Sequence, residues 1–285
     1  MDATDLLDRR GLIAGACAIA GSALLPAPAA AAPFSSNRMT VVTRGTGTDA
    51  IMIHGLGGSR DLWNGTVAAV PGHRYHLVQI AGFGGTAAGG NADGPVAGPV
   101  AAEIARYVRE SGLRRPAVIG HSMGGIIAMM LATRFAGSVG RVMAVDILPE
   151  PVTAFGFASG GGSRGLFDSL REQFTSTPGG RQTFRTLMGR LGMAGDGDSD
   201  VTANALHELA TLDLGPQLAG LRVPLTVVYA APPRDAADPS GVGRVFERAY
   251  ARAPDKRLVP IEGAGHMVML DRPAPFAAEV RRFLG

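Results

Sequence analysis

The chain has 285 residues, with 27 Lys+Arg against 24 Asp+Glu, 46% hydrophobic and 18% charged residues, 41 Gly and a single Cys. So much apolar content with so little charge excludes a disordered chain, and one Cys excludes both a zinc finger and a disulfide framework. All the basic residues but Lys256 are Arg, scattered singly or in pairs, so no stripe tracks phosphates and no nucleic-acid partner is expected.

The first 31 residues read as an export signal. Arg9-Arg10 is followed by Gly11-Leu12-Ile13, an apolar stretch to Leu25, and the small-residue run Pro26 to Ala32, with cleavage expected between Ala29 and Ala32. The paired Arg resembles the twin-arginine variety. The apolar stretch is shorter than the roughly 20 residues that span a bilayer, so no stable membrane anchor is expected. Cleavage would remove Cys17, and a Cys-free protein suits an oxidising periplasmic or secreted setting.

From Arg38 short β-rich runs alternate with helical spacing. Strands are predicted at Met39–Thr43, Ala50–His54 and Tyr75–Ile80, with a helix over 59–70 capped by Ser59 and a second over 95–111. A strand at Ala117–Ile119, a helix over 124–135 and a strand at Arg141–Ile147 follow. This alternation predicts an α/β fold: a mostly parallel sheet with helices on both faces. The rhythm stops over 149–216, where glycine-rich loops and three short amphipathic helices (near 166–175, 181–191 and 201–211) predict a helical cap over the site. Asp196-Gly-Asp198-Ser-Asp200 opens like a Ca²⁺ loop, but Val201 stands where Gly is needed; it reads as a loop with Asp200 capping the next helix. Alternation resumes over 217–285 with a strand at Leu225–Ala230, a helix over 243–253, a strand at Arg257–Ile261 and a last helix over 275–284. The core thus comprises 38–148 and 217–285.

Two segments match G-x-S-x-G, centred on Ser122 and Ser163. In a chain this rich in Gly the pattern alone decides nothing, but context does. Ser122 sits between a strand and an apolar helix, the geometry of a nucleophile elbow, whereas Ser163 lies in a glycine run with no strand before it. A Ser hydroxyl needs a base and an electrophilic pocket to attack. His54-Gly-Leu-Gly-Gly58 follows a buried strand, so the amides of Leu56 and Met123 are the expected oxyanion donors. Among six His, His266 follows the last strand and is the expected base; His54 and His121 read as structural hydrogen-bonders. For the acid that orients the base, Asp235, Asp238 and Asp146 all follow or end strands.

With these parts in place, the chain from about Arg38 to Gly285 resembles the α/β-hydrolase superfamily, whose triad order is Ser, Asp, His. It is most similar to the capped branch with small esterases, enol-lactonases, proline iminopeptidases and haloperoxidase-like perhydrolases. The resemblance implies a cofactor-free serine hydrolase acting on an ester or lactone. It favours Asp235 as the acid, because Pro239 follows it by the family's habit, although Ala230-Ala-Pro-Pro-Arg234 is a longer approach than usual. Ser rather than Asp at 122 argues against dehalogenases and epoxide hydrolases. Aromatic and aliphatic cap residues (Phe155, Phe157, Phe167, Phe174 and Phe184 among them) imply an apolar substrate group. C–C bond hydrolysis, perhydrolysis or non-catalytic binding of an apolar ligand are the alternatives.

Overall fold

Strand β2 (Thr48–Ile53) shows why the apolar runs are continuous rather than alternating. Ala50 and Met52 point into one core and Ile51 and Ile53 into another, so both faces of the strand are covered. The same split holds in β4 (Ala117–His121), where Val118 and Ile119 face opposite cores, and in β5 (Arg141–Val145). These contacts come from a computed structural model that describes residues 34–151, 197–234, 236–238 and 240–285. The expected export signal, nearly all of the expected cap before residue 197, Ser163 and Asp235 lie outside the described residues.

Among the described residues seven strands form one sheet in the order β1-β3-β2-β4-β5-β6-β7, with β1 (Met39–Arg44), β3 (His73–Ile80), β6 (Leu225–Ala231) and β7 (Lys256–Glu262) completing it. Only β1 runs antiparallel, against β3; the other neighbours are parallel. The predicted mostly parallel α/β sheet is therefore the observed one. Because β3 and β4 lie on opposite sides of β2, the chain reverses its winding there, and a crevice opens at the carboxyl ends of β2 and β4. His54–Gly58 follows the first of these strands and Ser122 the second.

One core holds α2 (Ala97–Glu110), α3 (Met123–Arg134) and α4 (Ser199–Thr211). The opposite core holds Trp63, α6 (Val268–Asp271) and α7 (Pro273–Leu284). Helix α5 (Gly241–Ala249) packs Phe246 into the first core. The predicted helix over 59–70 divides into a 3-10 turn, Arg60–Trp63, and α1, Asn64–Ala69, where Asn64-Gly65 is a weak helix-forming pair. Ser59 caps it as expected, accepting from the Asp61 N–H. Helix α4 departs from expectation at its start, because Asp198 rather than Asp200 is the cap. Its Oδ1 accepts from the N–H groups of Asp200 and Val201, since only a residue ahead of the first turn can reach those donors.

An interaction invisible to local patterning ties α4 to the core. The Glu208 carboxylate accepts from the N–H groups of Val96 (2.7 Å), Ala97 (2.6 Å) and Gly98 (2.9 Å), which are unpaired donors at the start of α2. A carboxylate there also meets the positive end of the helix dipole. Glu208→Ala is expected to cost about 0.5–2 kcal/mol, the usual range for a lost N-terminal cap. A denaturant midpoint within error of the parent would contradict this.

Candidate active site

The elbow at Ser122 is made by close packing. Ser122 has φ 53° and ψ −122°, a backbone strained for a residue with a side chain. Its N–H donates to Val145 O (2.9 Å) and its carbonyl accepts from Gly125 N–H (2.8 Å), so β5 and the first turn of α3 fix the turn from both sides. The glycines of the motif are required by space. A Cβ on Gly120 would lie 2.0 Å from Gly124 O, and one on Gly124 would lie 2.3 Å from Ile53 O. Met123 opens α3, where an N–H has no acceptor within the helix.

The loop after β2 lies against this turn: a Cβ on Gly55 would sit 3.0 Å from Ser122 Cβ. His54, fully buried, sets the loop's backbone. Its Nδ1 donates to Gly55 O (2.8 Å), while its Nε2 accepts from Ile80 N–H (3.1 Å), and these partners fix one neutral tautomer. Burial pulls the His54 pKa down to about 4, which keeps it neutral. In a trans peptide the carbonyl and the next N–H point in opposite directions, so the Leu56 N–H points away from the His54 ring that holds Gly55 O.

His266 lies in the loop between β7 and α6. Gly263 N–H donates to Ala231 O (2.8 Å) and Gly265 N–H to an Asp271 carboxylate oxygen (2.9 Å), which pins the loop ahead of the imidazole. His266 Nδ1 is 2.7 Å from Asp146 Oδ2, and the other oxygen of Asp146 accepts from Ala230 N–H (2.8 Å). The Asp146 side chain is only 14% exposed against 51% for His266, so the carboxylate is sheltered and the ring opens to the crevice. Asp146 itself has φ 51°, in the turn after β5. Its N–H donates to Val228 O (2.7 Å), and the next carbonyl, Ile147 O, accepts from the buried Tyr250 hydroxyl (2.6 Å).

The structure thus brings Ser122, Gly55 and the His266–Asp146 pair to the carboxyl ends of β2, β4, β5 and β7. Of the two candidate acids among the described residues, Asp146 is the one in contact with His266. Asp238 is exposed and pairs instead with Arg244 (2.6 Å); desolvation pushes its pKa up, but the Ser240 hydrogen bond and then the Arg244 charge outweigh it and hold the pKa low. Asp235 falls outside the described residues. Sequence alone could not rank these carboxylates, because β5 and β6 are parallel neighbours whose following turns both open on the same edge. His121 also touches the loop that carries His266, a contact that its place in the G-x-S-x-G motif gave no means of locating.

An elbow Ser after a parallel strand, with a His–Asp pair at the same edge of the sheet, is the arrangement of the α/β hydrolases. The chain matches the alpha/beta hydrolase family over residues 50–279 and belongs to that family. It is 24% identical over 263 residues to a pimeloyl-[acyl-carrier protein] methyl ester esterase of Aliivibrio fischeri, a match spanning 85% of this chain and 95% of the relative. Solved structures with the same fold include a thermophilic esterase from Thermogutta terrifontis (TM-score 0.67, 18% identity, 86% of this chain and 92% of that one). An enol-lactonase from Burkholderia xenovorans is also similar (TM-score 0.61, 19% identity, 86% and 96%).

Proposed function

We propose that the protein is an exported serine hydrolase that cleaves an ester or lactone of an apolar small molecule through an acyl-enzyme on Ser122. The observation that carries this is the 2.7 Å contact of His266 with Asp146, beside the strained elbow of Ser122. His266 Nε2 takes the Ser122 hydroxyl proton as the oxygen attacks the acyl carbon. Asp146 accepts from Nδ1–H, which fixes the tautomer that leaves Nε2 free and stabilises the imidazolium that forms. The amides of Leu56 and Met123 receive the oxyanion, and the leaving alkoxide takes the proton back from His266. Water then repeats the sequence on the acyl-enzyme and restores Ser122. Support for ester or lactone cleavage comes from the relatives named as esterases and as an enol-lactonase. Support for an apolar substrate comes from the Phe-rich composition of 149–216.

A fluorophosphonate should label Ser122 and release fluoride, while Ser122→Ala remains unlabelled and fails to hydrolyse p-nitrophenyl esters. Labelling at Ser163, or none in the folded protein, would sink the nucleophile assignment. Export has its own test. Arg9→Lys with Arg10→Lys should leave uncleaved precursor in the cytoplasm, and unchanged export of the double variant would remove the twin-arginine reading.

A further inference from the structure

We propose that His121 is a positioning residue for the base, whose Nε2–H holds the backbone carbonyl of His266 and so sets where the catalytic imidazole stands relative to Ser122. This rests on His266 being the base. His121 is the last residue of β4 and immediately precedes Ser122, so it is fixed to the same strand end as the nucleophile. Its Nε2 lies 2.9 Å from His266 O across 145 residues of sequence, and the two rings are 4.6 Å apart between centroids with a 48° tilt. Nucleophile and base are thereby joined through one imidazole rather than through the loop alone.

The chemistry of the contact fixes the state of the ring. A backbone carbonyl only accepts, so Nε2 carries the proton. The ring is 3% exposed, and burial first, then the neighbouring His266 ring, pull its pKa down to about 4; the hydrogen bond to His266 O and then Asp146 oppose this, and His54 adds to it. A neutral ring with its proton on Nε2 leaves Nδ1 a bare acceptor. That atom is buried without a hydrogen-bond partner, facing Gly55, whose added Cβ would lie 2.9 Å from it. Leaving a buried acceptor unpaired is unfavourable, because the desolvation of that atom is not offset. A phenyl ring would fill much of this space without that cost, so what the imidazole provides here is the donor on its other side.

The two ends of His266 then have separate supports. Asp146 holds the ring at Nδ1, and His121 holds the main chain at the carbonyl. With the carbonyl released, the residue can pivot about the Asp146 contact, and a displacement near 1 Å is enough to cost about 100-fold in rate. Substrate binding need not suffer, because His121 is buried beneath the site rather than lining its mouth.

The test compares His121→Phe, which keeps the ring shape without the donor, with His121→Gln, whose side-chain amide can reach the same carbonyl. The parent protein and His266→Ala are run beside them on a p-nitrophenyl ester. His121→Phe should lose about 10- to 100-fold in kcat with KM within about threefold, and His121→Gln should recover most of that loss. Fluorescence of Trp63, the one Trp and fully buried, checks that each variant is folded. A folded His121→Phe with the parent's kcat, a loss confined to KM, or a folded His121→Gln no better than His121→Phe would each overturn the proposal. Should His266→Ala keep the parent's kcat, it is the assignment of the base that fails, and the clamp falls with it.

Discussion

Asp146→Asn is expected to lower kcat by about 10⁴-fold while leaving the protein folded, because an amide facing Nδ1 favours the imidazole tautomer that cannot act as base at Nε2. The separation of effects follows from the backbone. Asp146 sits at φ 51°, a region that Asn tolerates at least as well as Asp, so the turn after β5 should survive the change. Ala230 N–H, which donates to Asp146 Oδ1, can still donate to an amide oxygen. Asp238→Asn should stay within about threefold of the parent, since Asp238 is an exposed partner of Arg244 and such pairs contribute little. Asp235→Asn should also stay within about threefold, because His266 Nδ1 already has a carboxylate partner in Asp146. Steady-state kinetics on the three variants decide the matter. A collapse in Asp235→Asn with Asp146→Asn near the parent would move the orienting role to the turn after β6.

Gly124→Ala has the largest expected effect on stability. Its Cβ would lie 2.3 Å from Ile53 O and 2.7 Å from His54 O, and both obstacles are backbone atoms at the end of β2, where the His54–Gly58 loop begins. No flexible side chain can move aside, so α3 must lift from β2. Overpacking of a core usually costs 1–3 kcal/mol, and a clash with backbone at this distance should reach about 3 kcal/mol or more. For a domain of this size that corresponds to a fall in Tm of about 6–12 °C. Trp63 fluorescence during a thermal ramp measures it. Gly65→Ala is the contrasting control: Gly65 lies in α1 with nothing within 4 Å of the added methyl, so it should be neutral or stabilising by up to about 1 kcal/mol. A Gly124→Ala protein as stable as the parent would mean that α3 does not pack on β2 as closely as described.

The residues differ in how much of their role could be read locally. The continuous apolar runs at 50–53 and 117–119 marked strands buried on both faces, and the helix after Ser122 was evident because ten of its twelve residues are apolar or Gly. Ser122 and His266 stood out because each follows a strand and precedes a helix, an arrangement set within a few residues of chain. The cap of α4 was misplaced by two residues because three Asp alternate there, and only the helix's first turn selects Asp198. Glu208 gave no signal at all. Its partners are more than 100 residues away, and a Glu on an amphipathic helix looks like any solvated side chain.

What the sequence determined by itself was the alternation of elements, the elbow with its small neighbours, and the placing of Ser122 and of a late His266 after strands of that alternation. These depend on periodicity, glycine placement and side-chain chemistry, all of which are local. The tertiary structure decided which carboxylate reaches His266, which tautomer His54 and His121 adopt, and which carbonyls they hold. Those outcomes depend on strand order and on angstrom-scale distances between segments that are remote in the chain. Parallel neighbours such as β5 and β6 present their turns at one edge, and only the packed sheet selects the side chain that arrives within 2.7 Å.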